Sequence, residues 1–152
     1  MVDMPNMQEG TVKIRRGRRT DFPTLMALLN SQAPLGEAEK RQVRHWRRLA
    51  SDPSLDFYIA EQEGTIRGIV LVCYIRELRR PGWQAILDVV APVAAEWGIG
   101  RALLDFVKER ARKRGCQRLL VYEIEHERDE RCASLTQAGF RRVGDVLCCG
   151  LS

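Results

Sequence analysis

APVAAEWGIGRALLDFVKERARKRG, residues 91–115, begins where an apolar run stops at a proline and ends in a strongly amphipathic helical pattern. Ile99, Ala102, Leu103, Phe106 and Val107 recur at helical spacing, and Gly115 stands where a helix closes in the left-handed conformation. Gly98 and Gly100 lie at the start of that helix. Glycine costs a helix about 1 kcal/mol relative to alanine, so a pair of them asks what comes close to the backbone there. A strand that runs through a short loop into a helix presents several free N–H groups at the helix start, and an anion fits them. Close helix packing explains two glycines equally well. A Walker loop and a dinucleotide fingerprint both fail on spacing, the first for want of Lys-Ser/Thr and the second for want of a third glycine.

Outward from this segment the pattern is mixed. TVKIRRG alternates as a first strand, and Thr20 or Asp21 is placed to cap a helix with Pro23 in its first turn and Leu25, Leu28 and Leu29 on one face. A second helix is expected from Glu37 to about Ala50, with Val43, Trp46 and Leu49 or Ala50 as its buried stripe. DFYIAEQ, IRGIVLVCYIREL and WQAILDVVAP then read as three antiparallel strands, joined by turns at EGT and RRPG. CQRLLVYEIE follows the long helix and is expected to lie parallel to the strand before it, because a crossover helix separates them. A short helix, about Asp129 to Ala138, and a last strand in RRVGDVLCCGLS complete the chain. The expected class is α+β: a mostly antiparallel sheet flanked by helices, with one βαβ unit inside it. Residues 1–10 read as a polar tail and 11–152 as one domain.

Composition narrows the function classes. The chain of 152 residues is 45% hydrophobic and 30% charged, and no apolar run approaches the roughly 20 residues that cross a bilayer. No basic-then-apolar leader pattern opens it, so a cytoplasmic location is expected. Five cysteines without a C-x-x-C pair are expected to be buried, reduced thiols, and two distant histidines, His45 and His126, give a metal site or a Ser/His/Asp triad little basis. No metal is expected. The net charge of +5 gathers in KIRRGRR, KRQVRHWRR and KERARKR. For the last of these, cations complementing a helix C-terminus are sufficient reason. The first two remain open between solvated surface and a polyanion site, although sparse aromatic residues disfavour nucleic acid.

VAPVAAEWGIGRALL, Val90 to Leu104, resembles the acyl-CoA-binding motif of the GNAT acetyltransferase superfamily, in which V-x-P is followed by Q/R-x-x-G-x-G/A and a helix. The opening VKIRRGRRTDFPTLMALL, the late QAGF and the order of elements are similar to the same family from Thr11 onward. The resemblance implies a GNAT-like fold and acetyl-CoA as acyl donor. The backbone at Val89 and Val90 would then pair with the pantetheine arm, while Ala95, Glu96, Trp97, Gly98, Ile99, Gly100 and Arg101 would wrap the pyrophosphate. Ala95 stands where the family usually carries Gln or Arg.

Acetyl transfer to an amine needs a base for the amine and a proton source for the leaving thiolate. By the resemblance, Glu123 is the first candidate base, and Asp88, within AILDVV, is the second. Asp88 is either partly desolvated or turned toward water. The position of the family's general-acid tyrosine holds Leu135, which instead fits a helix-closing contact with Phe140; Cys132 and Ser134 are the nearby polar groups. The expected activity is N-acetylation of a primary amine, in a small molecule or a protein, by direct attack in a ternary complex. A CoA-binding module without turnover is the alternative. No membrane partner is expected, and a homodimer stays open as the assembly.

Overall fold

The computed structural model describes residues 10–32, 39–91, 97–121, 133, 135–144 and 146–151. Five strands form one sheet in the order β1 (Val12–Arg16), β2 (Leu55–Gln62), β3 (Thr65–Arg76), β4 (Trp83–Ala91), β5 (Cys116–Val121). The first three junctions are antiparallel, and β4 with β5 is parallel because α3 (Trp97–Lys113) crosses over between them. The expected α+β class and its βαβ unit are therefore present. Glu63 and Gly64 both have positive φ, 52° and 76°, and make the two-residue hairpin loop whose twist suits the flanking strands.

Alternation along the strands divides the core in two. Tyr58, Ala60, Val70, Val72, Ala85 and Leu87 face α3, which buries Ile99, Leu103, Leu104 and Val107 against them. Each such apolar side chain contributes about 1.5–3 kcal/mol relative to exposure. The opposite face packs Ile59 and Ile69 against Leu25 of α1 (Phe22–Gln32) and Trp46 of α2 (Glu39–Ser51). Trp46 meets the edge of Phe57 at 4.6 Å between ring centroids. The expected stripe of α2 is the observed one: Trp46 is buried, and Val43 and Leu49 are half-buried.

Four expectations change. Asp21 precedes α1 in a short 3-10 turn (Arg19–Asp21), where its carboxylate turns back to accept from the Arg18 amide at 2.6 Å and from Arg15 at 2.7 and 2.9 Å. Arg15 also donates to Glu61, so an ion cluster ties the first strand to the start of α1. RRVGDVLCCGLS is not a strand: its described residues are irregular, with Leu147 and Leu151 more than 90% exposed. Its apolar residues do not alternate, Gly144 and Gly150 interrupt them, and strand propensity without a paired edge does not hold an extended segment in place. Among the described residues, the four cysteines are free, as expected, but not buried: Cys73 and Cys116 are half-buried, and Cys148 and Cys149 are exposed. Finally, the basic end of α3 is more than a solvated helix terminus, since Arg110 donates to the Tyr58 hydroxyl and Arg114 to the buried carboxylate of Asp56.

Candidate active site at the end of β4

The pairing of β4 with β5 is described from Trp83 to Leu87, which faces Val121, the last described residue of that strand. β4 continues for four more residues, Asp88 to Ala91, held on its other side by β3. Val70 faces Val89 and Ile69 faces Ala91, which leaves Val90 as the extra residue of a bulge. A bulge bends a strand and re-aims its groups. Among the described residues, then, the β5 side of the Asp88–Ala91 backbone carries no ladder partner. Val89 and Val90, the residues expected along a pantetheine arm, lie in this open stretch.

α3 begins at Trp97, so Gly98 and Ile99 are among its first amides, which lack intrahelical acceptors, while Gly100 and Arg101 complete the first turn. Ile99 is buried and anchors the turn in the core. Gly98 is exposed, and a Cβ built there meets nothing within 4 Å among the described residues. Among the described residues, packing thus does not demand glycine at 98. The helix start carries the positive end of the dipole, and the fit to a phosphate-bearing ligand rests on these amides and this space.

The remaining site residues are placed unevenly. Arg101 is spoken for: its guanidinium pairs with Asp105 at 3.3 Å and donates to the Gln137 carbonyl at 3.1 Å. Lys108, two turns on, donates to the Ala138 carbonyl at 2.6 Å and lies over the Phe140 ring. Together these cations satisfy the last carbonyls of the QAGF helix and dock it on α3. Sequence reasoning missed this clamp, although the seven-residue spacing of Arg101 and Lys108 marks one helix face. Asp88 is exposed, on the sheet face away from α3, which selects the solvated alternative for this carboxylate. Burial pushes the thiol of Cys73 above its ordinary pKa, and the charge of Asp88 raises it further. Ala95, Glu96, Glu123, His126, Cys132 and Ser134 lie outside the described residues.

Leu135 has the role its sequence context implies. Gly139 adopts φ +93°, its amide donates to Thr136 O at 3.0 Å, and the Phe140 amide donates to Leu135 O at 2.9 Å. This is a Schellman closure, and both Leu135 and Phe140 pack on the α3 side of the core.

Residues 22–140 match the profile described as the Acetyltransferase (GNAT) family. The chain belongs to the GNAT acetyltransferase family. By sequence, no curated protein matches it. Solved structures share the GNAT fold: a transcriptional regulator from Bacillus halodurans C-125 at TM-score 0.80 and 23% identity, covering 93% of this chain and 100% of that one. A glucosamine-6-phosphate N-acetyltransferase from Arabidopsis thaliana has TM-score 0.75 and 17% identity over 93% and 99%. A predicted acetyltransferase with acetyl-CoA from Clostridium acetobutylicum has TM-score 0.71 and 16% identity over 92% and 96%.

Proposed function

We propose that this GNAT protein transfers an acetyl group from acetyl-CoA to a primary amine of a small molecule, by direct attack within a ternary complex. The observation that carries the proposal is the stretch of β4 beyond Leu87, which has no ladder partner on its β5 side among the described residues, together with the helix start at Gly98. Acetyl-CoA, when bound, supplies the acetyl group as an activated thioester. The amides of Trp97 to Ile99 bind its phosphates, and the β4 backbone at Val89 and Val90 orients the arm that carries the thioester. Glu123 is the group assigned to take the amine proton, with Asp88 in reserve. A small-molecule amine is favoured by the sugar-phosphate acetyltransferase among the structural neighbours.

A specific observation supports a second reading, a CoA-binding module without turnover. Leu135, at the family's general-acid position, is locked into a helix closure, and no tyrosine follows Tyr122 in the chain. Thiol release from acetyl-CoA across a panel of amines, with acetyl-CoA binding measured in parallel, separates the two. Amine-dependent thiol release supports the enzyme; binding without release under every amine supports the module; no binding removes both.

A further inference from the structure

At the pole of the sheet opposite Gly98, the carboxylate of Asp56 is buried beneath three donors. Arg16 reaches it at 2.9 Å, Arg114 at 3.1 Å and the Tyr74 hydroxyl at 2.7 Å. Arg114 in turn lies flat over the Tyr74 ring, 4.3 Å from its centroid. Beside this network is a cavity of about 380 Å³, lined by Pro53, Ser54, Tyr74, Trp83 and Arg114. That volume lies in the range of small-ligand sites. Two aromatic rings and a proline make its walls apolar, and the Arg114 side chain is 38% exposed, with one guanidinium nitrogen committed to Asp56 among the described residues. Arg76 lies over the Trp83 ring, 4.2 Å from its centroid, and sets a second cation against this lining residue. The buried acid nearby among the described residues, Asp56, is already neutralised by Arg16 and Arg114.

We infer that this cavity binds a small, flat carboxylate of one or two aromatic rings, with the ring between Tyr74 and Trp83 and the carboxylate on Arg114. Planar guanidinium and carboxylate groups match in geometry, and Asp56 holds the guanidinium in one orientation at no cost to its outer edge. Aromatic walls favour a ring over an aliphatic chain of equal size. A neutral or cationic ligand gains nothing from the two arginines. The 17 residues of α3 rise about 25 Å, so the cavity is separate from the helix start that faces the acyl donor. The inference stands independently of acetyl transfer.

The test titrates the intact protein with benzoate, 4-hydroxybenzoate and 2-naphthoate, following the indole N–H resonances by NMR and the heat of binding. Methyl benzoate tests the charge, and cyclohexanecarboxylate tests the ring. The Trp83 signal, identified by its loss in Trp83→Ala, is expected to shift with the aromatic acids and not with the ester. Trp83→Ala and Arg114→Lys should each weaken binding roughly tenfold, the change that removing one charge-assisted or stacking contact brings. Arg114→Lys keeps a cation against Asp56, so loss of affinity in a folded Arg114→Lys protein reports the planar contact itself. Binding of the ester or the cyclohexane acid as tightly as benzoate would overturn the inference, as would unchanged affinity in Trp83→Ala. No shift of the Trp83 resonance at millimolar acid would do so as well.

Discussion

The Phe140 amide donates to the Leu135 carbonyl at 2.9 Å, and the two side chains share one patch of the core against α3. The position the family often gives to a proton donor is thereby used to close a helix. Leu135→Ala is expected to lower stability by about 1–2.5 kcal/mol, less than the 2–5 of a fully buried leucine because Leu135 is half-buried. Its effect on the rate constant of thiol release should be small. Denaturant unfolding and steady-state kinetics on the same preparation check both halves.

Substitutions at Gly98 and at Gly100 should both reduce the thermal response to acetyl-CoA. Gly98 has no positive φ and open space around it, so Gly98→Ala is expected to stabilise the free protein by about 0.4–1 kcal/mol. The same methyl enters the space assigned to acetyl-CoA and should shrink the thermal shift that the ligand produces. At a hundredfold excess over Kd that shift corresponds to about 2.7 kcal/mol in the unsubstituted protein. Gly100→Asp adds bulk and negative charge at the helix start and should abolish it. Thermal unfolding with and without acetyl-CoA distinguishes these outcomes; a full shift in Gly100→Asp would place the phosphates elsewhere.

The assignment of the base makes a kinetic prediction. Glu123→Gln is expected to reduce kcat/KM by roughly 10²–10⁴ with acetyl-CoA binding retained, the loss typical of a general acid–base group. Asp88 is exposed, and Asp88→Asn should leave the rate within about threefold if Glu123 is the base. A large loss in Asp88→Asn alone would reverse the assignment.

Acid stability should depend on Asp21. Hydrogen bonds from Arg15 hold its carboxyl below the ordinary value of 3.8, and the Arg18 amide lowers it further. A carboxyl depressed on folding stabilises the native state above its unfolded pKa, and that contribution is lost as the pH falls through the folded value. Stability from this group is therefore full near neutral pH and declines below about pH 4. Asp21→Asn is expected to lower stability near pH 7 while flattening the acid limb, as read from urea midpoints across that range.

Asp56 gives the largest expected contrast among its partners. It is 1% exposed, whereas Arg16, one of its three donors, is 63% exposed. Removing the buried Tyr74 hydroxyl by Tyr74→Phe should cost about 1–3 kcal/mol, the cost of leaving a buried acceptor short of a donor. Arg16→Gln, at the surface, should cost less than about 1 kcal/mol. Burial and the bond to Asp56 push the Tyr74 hydroxyl well above the usual tyrosine range, so it remains a donor throughout the neutral range. Equilibrium unfolding of both variants tests the order.

What the sequence determined by itself was local and periodic. The spacing of Ile99, Leu103 and Val107 made α3 certain, the alternation of β2, β3 and β4 made the meander legible, and the proline-to-glycine interval pointed to the family. Gly139 and Phe140 announced their own helix closure because a Schellman turn is written within six consecutive residues. The last strand was misread for a complementary reason: strand propensity is local, but a strand exists only where another edge pairs with it, and the tail after Phe140 meets none among the described residues. The bulge of β4 at Val90, the clamp of Arg101 and Lys108 on Gln137 and Ala138, and the Asp56 network were decided by tertiary structure. The clamp and the arginine bonds to Asp56 join residues 30 or more apart in the chain, as Ala138 to Lys108 or Arg114 to Asp56. Register, burial and partnership across such separations follow from how the sheet and helices pack, which no window of sequence contains.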